Sequence, residues 1–80
     1  MAQQTLELRG DFIELHSLLK LLGLAPSGGA AKEMIAAGQV TVDGVVETRK
    51  ACKLRANQCV RVAGEEVLLV PPPDAIVRGA

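Results

Sequence analysis

The chain has 80 residues, one domain near the lower size at which a hydrophobic core sustains a fold alone. Apolar residues make up 49% of it, yet there is no Trp, no Tyr and only Phe12. The core is therefore aliphatic, and a platform of several rings on which single-stranded bases stack is excluded. Nine basic residues balance nine acidic ones, but the two signs are segregated: Thr48 to Gly64 holds five bases and no acid, the remainder four bases against nine acids. A local basic field of this kind attracts polyanions even when the whole molecule is neutral.

The start, Met1-Ala2-Gln3-Gln4-Thr5, has no basic region followed by an apolar one, so no signal peptide is expected, and residues 1–10 read as an N-terminal segment ahead of the domain. Asp11 to Leu22 reads as a helix. Phe12, Leu15, Leu19 and Leu22 form its apolar stripe, Ile13 and Leu18 widen it, and Glu14, Ser17 and Lys20 face water. Asp11 is its expected cap, and Gly23 its left-handed stop. After the short link Leu24-Ala25-Pro26, Ser27 caps a second helix that runs to Ala37 and stops at Gly38. Ala31, Met34 and Ile35 form its inner face, with Lys32 and Glu33 outside.

The period then changes from helical to alternating. Gln39 to Val42 reads as a strand, Asp43-Gly44 as a tight turn and Val45 to Glu47 as the return strand. Gln58 to Val62 and Glu66 to Val70 form a second hairpin through Ala63-Gly64-Glu65, preceded by Asn57, which tolerates the left-handed conformation. Between the hairpins lies the basic loop. Pro71-Pro72-Pro73 ends the sheet, because proline cannot donate to a ladder, and residues 71–80 read as a flexible tail. No apolar run is long enough to span a bilayer, the longest being broken by Lys20 and Gly23. Cys52, Cys59 and the lone His16 lack the paired spacing of a zinc knuckle, and the two cysteines are expected as cytosolic thiols.

Two stretches carry chemistry. In Ser27-Gly28-Gly29-Ala30-Ala31-Lys32, the glycines open a helix start to a phosphate, where free amides and the helix dipole favour negative charge. The same glycines would equally serve close helix packing, and the spacing rules out a nucleotide-binding P-loop. The second stretch is Arg49, Lys50, Lys53 and Arg55, extended by Arg61, which alternates with Val60 and Val62 and so points outward with Cys59. Lys20, near the first helix's end, suits either the dipole or a contact to a polyanion. Glu47 and Thr48 are placed to orient Arg49.

The ordered set Leu18-Leu19-Lys20, Gly23-Leu24-Ala25, Ser27, Ala31-Lys32, Ile35, Gly38 and Val40-Thr41-Val42-Asp43-Gly44 resembles the RNA-binding domain first known from ribosomal small-subunit protein four, the S-four domain. The resemblance covers about Phe12 to Val70. Val46-Glu47-Thr48-Arg49-Lys50 and Lys53-Leu54 look like its small stand-alone bacterial, YbcJ-like branch. It implies an α+β fold: two N-terminal helices packed on a small, strongly twisted, mainly antiparallel sheet, with RNA over a face that both supply, the αL-type RNA-binding motif. It also implies RNA-contacting roles for Lys32, Arg49, Lys50, Lys53 and Arg55. Gly28 stands where many members have an arginine, and Asp43 where asparagine is common.

The reading that results is a non-catalytic, cytoplasmic, monomeric module of residues 11–70. It is expected to bind structured RNA, ribosomal or transfer, with ribosomal particles as a further partner, and without metal or cofactor. Its candidate contacts are Ser27, Gly28, Gly29, Lys32, Arg49, Lys50, Lys53 and Arg55, with Lys20 and Arg61 at the margins. Two alternatives stand beside it. One is a protein-interaction module whose basic loop docks an acidic partner. The other, a small sulfur carrier, fits poorly with an ending of Val77-Arg78-Gly79-Ala80 in place of Gly-Gly.

Overall fold

A computed structural model describes residues 2–72. Its elements in chain order are β1 (Ala2–Glu7), β2 (Ile13–Glu14), α1 (Leu15–Leu21), α2 (Gly28–Ala36), β3 (Val40–Val42), β4 (Val45–Val46), β5 (Lys53–Leu54), β6 (Cys59–Val62) and β7 (Glu65–Val70). Five strands form one open sheet in the order β1-β7-β6-β3-β4, and β2 and β5 pair as a separate two-stranded ladder. All pairings are antiparallel except β1 with β7. The inward residues of the sheet, Val40, Val60, Val62, Val67 and Leu69, meet Leu15, Leu18 and Leu19 of α1 and Ala31 and Ile35 of α2 in one aliphatic core. This is the α+β arrangement expected, two helices packed against a mixed but mostly antiparallel sheet.

Three local expectations are corrected. First, the sheet does not begin after the helices. Residues 2–7, set apart as an N-terminal segment, form the parallel edge strand, with Ala2 opposite Glu65 and Glu7 opposite Val70. Leu8 follows with its N–H on the Val70 carbonyl (3.0 Å) and its side chain only 4% exposed. Thr5-Leu6-Glu7-Leu8 alternates, which is the strand signal that was passed over.

Second, α1 starts at Leu15 and not at Asp11, and Glu14 occupies the cap position without a side-chain hydrogen bond. Ile13 and Glu14 are extended because they pair with Leu54 and Lys53. Third, Phe12 therefore leaves the apolar stripe of the helix and stands 41% exposed. Lys53-Leu54, expected as loop, is the partner strand, and Leu54 is fully buried between two exposed cations.

The remaining punctuation follows local chemistry. Ser27 caps α2 by accepting the Ala30 N–H on its hydroxyl at 3.1 Å. Gly23 and Gly38 end the two helices at φ of 73° and 77°. Asp43-Gly44 and Ala63-Gly64 are both left-handed pairs, the geometry whose twist matches a tight hairpin. Ala63, at φ 52°, carries a Cβ where asparagine or glycine is the comfortable residue.

Two stability measurements test this description. Leu8→Ala should cost about 2–5 kcal/mol, as Leu19→Ala should, because each opens a cavity in the same core. An unchanged urea midpoint for Leu8→Ala would detach the N-terminal strand from the core. Ala63→Asn should raise stability by about 0.5–1 kcal/mol by relieving the left-handed alanine, and a lowered midpoint would count against the turn geometry.

Candidate nucleic-acid interface

A helix start leaves its first amides without intrahelical acceptors. At α1 these amides turn to the basic loop: Leu15 N–H donates to the Cys52 carbonyl at 2.9 Å and His16 N–H to the Lys50 carbonyl at 3.1 Å. Together with the β2–β5 ladder, these bonds hold residues 50–54 against the beginning of α1. The cations follow from that placement. Lys53 Nζ lies 4.9 Å from the centroid of the Phe12 ring and the Arg55 guanidinium carbon 5.8 Å from it, so two cations share one aromatic ring. The Arg55 backbone is tied in turn, its N–H donating to Gln58 Oε1 at 2.7 Å.

Arg49 is locked from the other side. Its Nε and Nη2 donate to the two carboxylate oxygens of Glu47 at 2.9 and 3.2 Å, and its backbone N–H adds a third bond at 3.0 Å. This fork is the orienting contact expected of Glu47. The pair is asymmetric in exposure: the Arg49 side chain is 77% exposed and that of Glu47 17%, so the guanidinium is offered to solvent while its counter-ion sits behind it. Hydrogen bonds from the Arg49 side chain and backbone hold the Glu47 carboxyl at a pKa of about 2, well below its usual range.

Arg61 has a different fate. It donates to Glu66 across the β6–β7 pair at 3.0 Å, and Glu66 also receives the Cys59 thiol at 3.3 Å. Cys59 and Arg61 do share an outward face, but this cation carries its own counter-ion. Burial, and for Cys59 the bond to Glu66, raises both thiol pKa values, which keeps Cys52 and Cys59 in the unreactive protonated form. The carboxylate of Asp43 is spent structurally, accepting the Cys59 N–H at 2.9 Å.

On α2 the glycines prove unnecessary for packing. A Cβ built at Gly28 would meet nothing within 4 Å, and one at Gly29 only the Ser27 hydroxyl at 3.9 Å. Their amides precede the first intrahelical bond, which Ala31 N–H makes to the Ser27 carbonyl. Lys32 is exposed on the same helix, and Lys20 is exposed in the last turn of α1. Lys53 and Arg55 are joined through Phe12 and the loop is bonded to α1, whereas no hydrogen bond or ion pair among the described residues ties Lys32, Gly28 or Gly29 to the loop. Lys50, Lys53 and Arg55 make no ion pair with a described residue. Phe12 is the participant that sequence reasoning missed. The alternation Lys53-Leu54-Arg55, apolar between two cations, was the available sign of a strand there.

Among the described residues no group of His, Cys, Asp and Glu could hold a metal ion, and no helix is long and apolar enough to cross a membrane.

Comparison with known proteins agrees with this architecture. The S4 domain family matches residues 6–70, and the chain belongs to that family. It is 57% identical over 58 residues to the putative RNA-binding protein YbcJ of Escherichia coli, covering 72% of this chain and 83% of that protein. The same figures hold for the uncharacterized protein YbcJ of Shigella flexneri. The solution structure of Escherichia coli YbcJ, described as revealing an αL motif involved in RNA binding, superposes with a TM-score of 0.60 at 51% identity, covering 88% of this chain and 87% of that one.

The Glu47–Arg49 fork gives a pH test. A carboxylate with a depressed pKa contributes its stabilisation above the ordinary carboxylate value and loses it as pH falls through about 2. Carbon-detected NMR of the Glu47 carboxyl should therefore show a midpoint near 2. In Arg49→Ala the midpoint should return to the ordinary range near 4.3; the same midpoint in both proteins would mean that the fork does not form in solution.

Proposed function

We propose that this protein is a non-catalytic RNA-binding module of the bacterial cytoplasm. It acts as a monomer on structured RNA of the ribosomal or transfer class. Family membership and the RNA-binding motif described for YbcJ support the RNA assignment. The observation that carries it is the loop at the start of α1, where Lys50, Lys53 and Arg55 are exposed with no carboxylate partner among the described residues and Arg49 is aimed outward by Glu47.

In this reading the loop cations take phosphates, while the free amides of Gly28 and Gly29, with Lys32, take a further one at the opening of α2. The glycine cradle is supported by the empty space around both Cα atoms. Ser27 holds that helix start in shape, Lys20 lies at the margin, and Arg61 contributes least because Glu66 balances it. Recognition rests on phosphate geometry and RNA shape. A loop of this charge would also suit an acidic protein, and ribonuclease treatment of crosslinked complexes separates the two: complexes that survive it would assign the loop to a protein partner.

Salt dependence measures the phosphate contacts. With five of them (Lys32, Arg49, Lys50, Lys53 and Arg55), log affinity should fall against log salt with a slope of roughly −3.5 for unpaired RNA and about −4.5 for a duplex stem. Lys53→Ala should flatten the slope by about 0.7–0.9, and Arg61→Ala by much less. Thermal melts of both variants should stay within about 0.5 kcal/mol of the parent, since both side chains are exposed. A salt-independent affinity, or equal slopes for parent and Lys53→Ala, would show that the basic loop is not the RNA-binding surface.

A further inference from the structure

The one phenylalanine of the chain, which has no Tyr or Trp, is not in the core. Phe12 is 41% exposed, and it stands at the junction of two surfaces of different chemistry. The Lys53 ammonium and the Arg55 guanidinium lie 4.9 and 5.8 Å from the ring centroid. Phe12 also lines an open groove of about 670 Å3 whose apolar wall includes Leu6, Ile13 and Leu21, with Glu7 and Arg9 as polar groups. Leu21 is 62% exposed although it belongs to α1, so this wall is not closed by the protein's own core.

A ligand that satisfies both surfaces is flat, apolar on its faces, hydrogen-bonding at its edge and joined to an anion. A nucleotide has that constitution: the base offers a π-face to the ring, its edge can meet the carboxylate of Glu7 or the guanidinium of Arg9, and its phosphate can meet Lys53 and Arg55. We propose that Phe12 and the adjoining groove form a stacking site for one unpaired nucleobase, with Lys53 and Arg55 taking the phosphate beside it. The inference rests on the RNA-binding reading above and deepens it. The protein would select RNA in which a helical stretch ends in, or bulges out, a single unstacked nucleotide. With no Tyr, no Trp and no second Phe in the chain, the site holds one base, so it confers a preference for a junction and not general affinity for single strands.

Because the parent lacks tryptophan, Phe12→Trp supplies a single fluorophore at the proposed contact. The probes are a 12-base-pair RNA duplex with blunt ends, the same duplex with one overhanging 3′ adenosine, and the same with an abasic overhang. The adenosine overhang should quench Phe12→Trp fluorescence at saturation, and the parent should bind it about 5- to 150-fold more tightly than the blunt duplex. The abasic overhang should do neither. Phe12→Leu, which keeps the groove apolar at an exposed position, should lose the preference for the overhang, so that the adenosine-tailed and blunt duplexes bind it equally.

If the parent binds blunt, abasic and adenosine-tailed duplexes equally and the fluorescence is unmoved, the stacking site is refuted and RNA binding itself stands. If none of the three binds, both readings fall. A concentration-dependent dimer in sedimentation that Phe12→Leu dissociates would overturn the proposal by giving the groove to a second copy of the chain.

Discussion

The placement of the basic loop depends on an unfinished helix. Glu14, at the cap position of α1, makes no side-chain cap, so the first amides of the helix look elsewhere for acceptors. They find the carbonyls of Lys50 and Cys52, and the adjoining residues Lys53 and Leu54 pair with Ile13 and Glu14. A segment dense in positive charge, which would otherwise repel itself into solvent, is thereby fastened to the core through its backbone, with Leu54 fully buried as the anchor. The side chains are left outside. Structural work is done by main chain and Leu54, and the cations between them are exposed.

The same economy governs which charges are available. A positive surface works as a ligand site only if its cations are not already neutralised by neighbours. Here the sheet cation Arg61 is balanced by Glu66, and Arg49 is balanced but directed by Glu47, while Lys50, Lys53 and Arg55 have no carboxylate among the described residues. The acidic residues that cancel the net charge are kept out of the loop in the sequence, and in the fold Glu47 directs Arg49 while Glu66 balances Arg61.

Much of the fold was legible because its determinants are local. Ser27 caps the helix that follows it, Gly23 and Gly38 stop helices at positive φ, and Asp43-Gly44 and Asn57 sit in the left-handed conformations their chemistry suggests. The hairpins obeyed their alternation: Val60 and Val62 are buried and Arg61 is exposed. What failed to show was non-local. Phe12 and Ile13 have helical spacing with Leu15 and Leu19, and nothing within that window reveals that Leu54, some forty residues on, competes for the same backbone. The first strand was missed for a similar reason, since its partner lies at the opposite end of the domain and a parallel edge pairing leaves no turn to announce it.

By itself, then, the sequence determined the aliphatic character of the core, the helix pair, the two hairpins, and the segregation of five cations into one acid-free run. Those properties depend on composition, on side-chain period and on single residues acting on their own backbone. Only the tertiary structure decided that this run is pinned to the start of α1, that Arg61 has a carboxylate partner while Lys53 and Arg55 have none among the described residues, and that the single phenylalanine ring stands beneath those two cations beside an apolar groove. The physical reason is that hydrogen bonds between distant backbone segments and the pairing of individual charges depend on distances in space, which spacing along the chain does not encode.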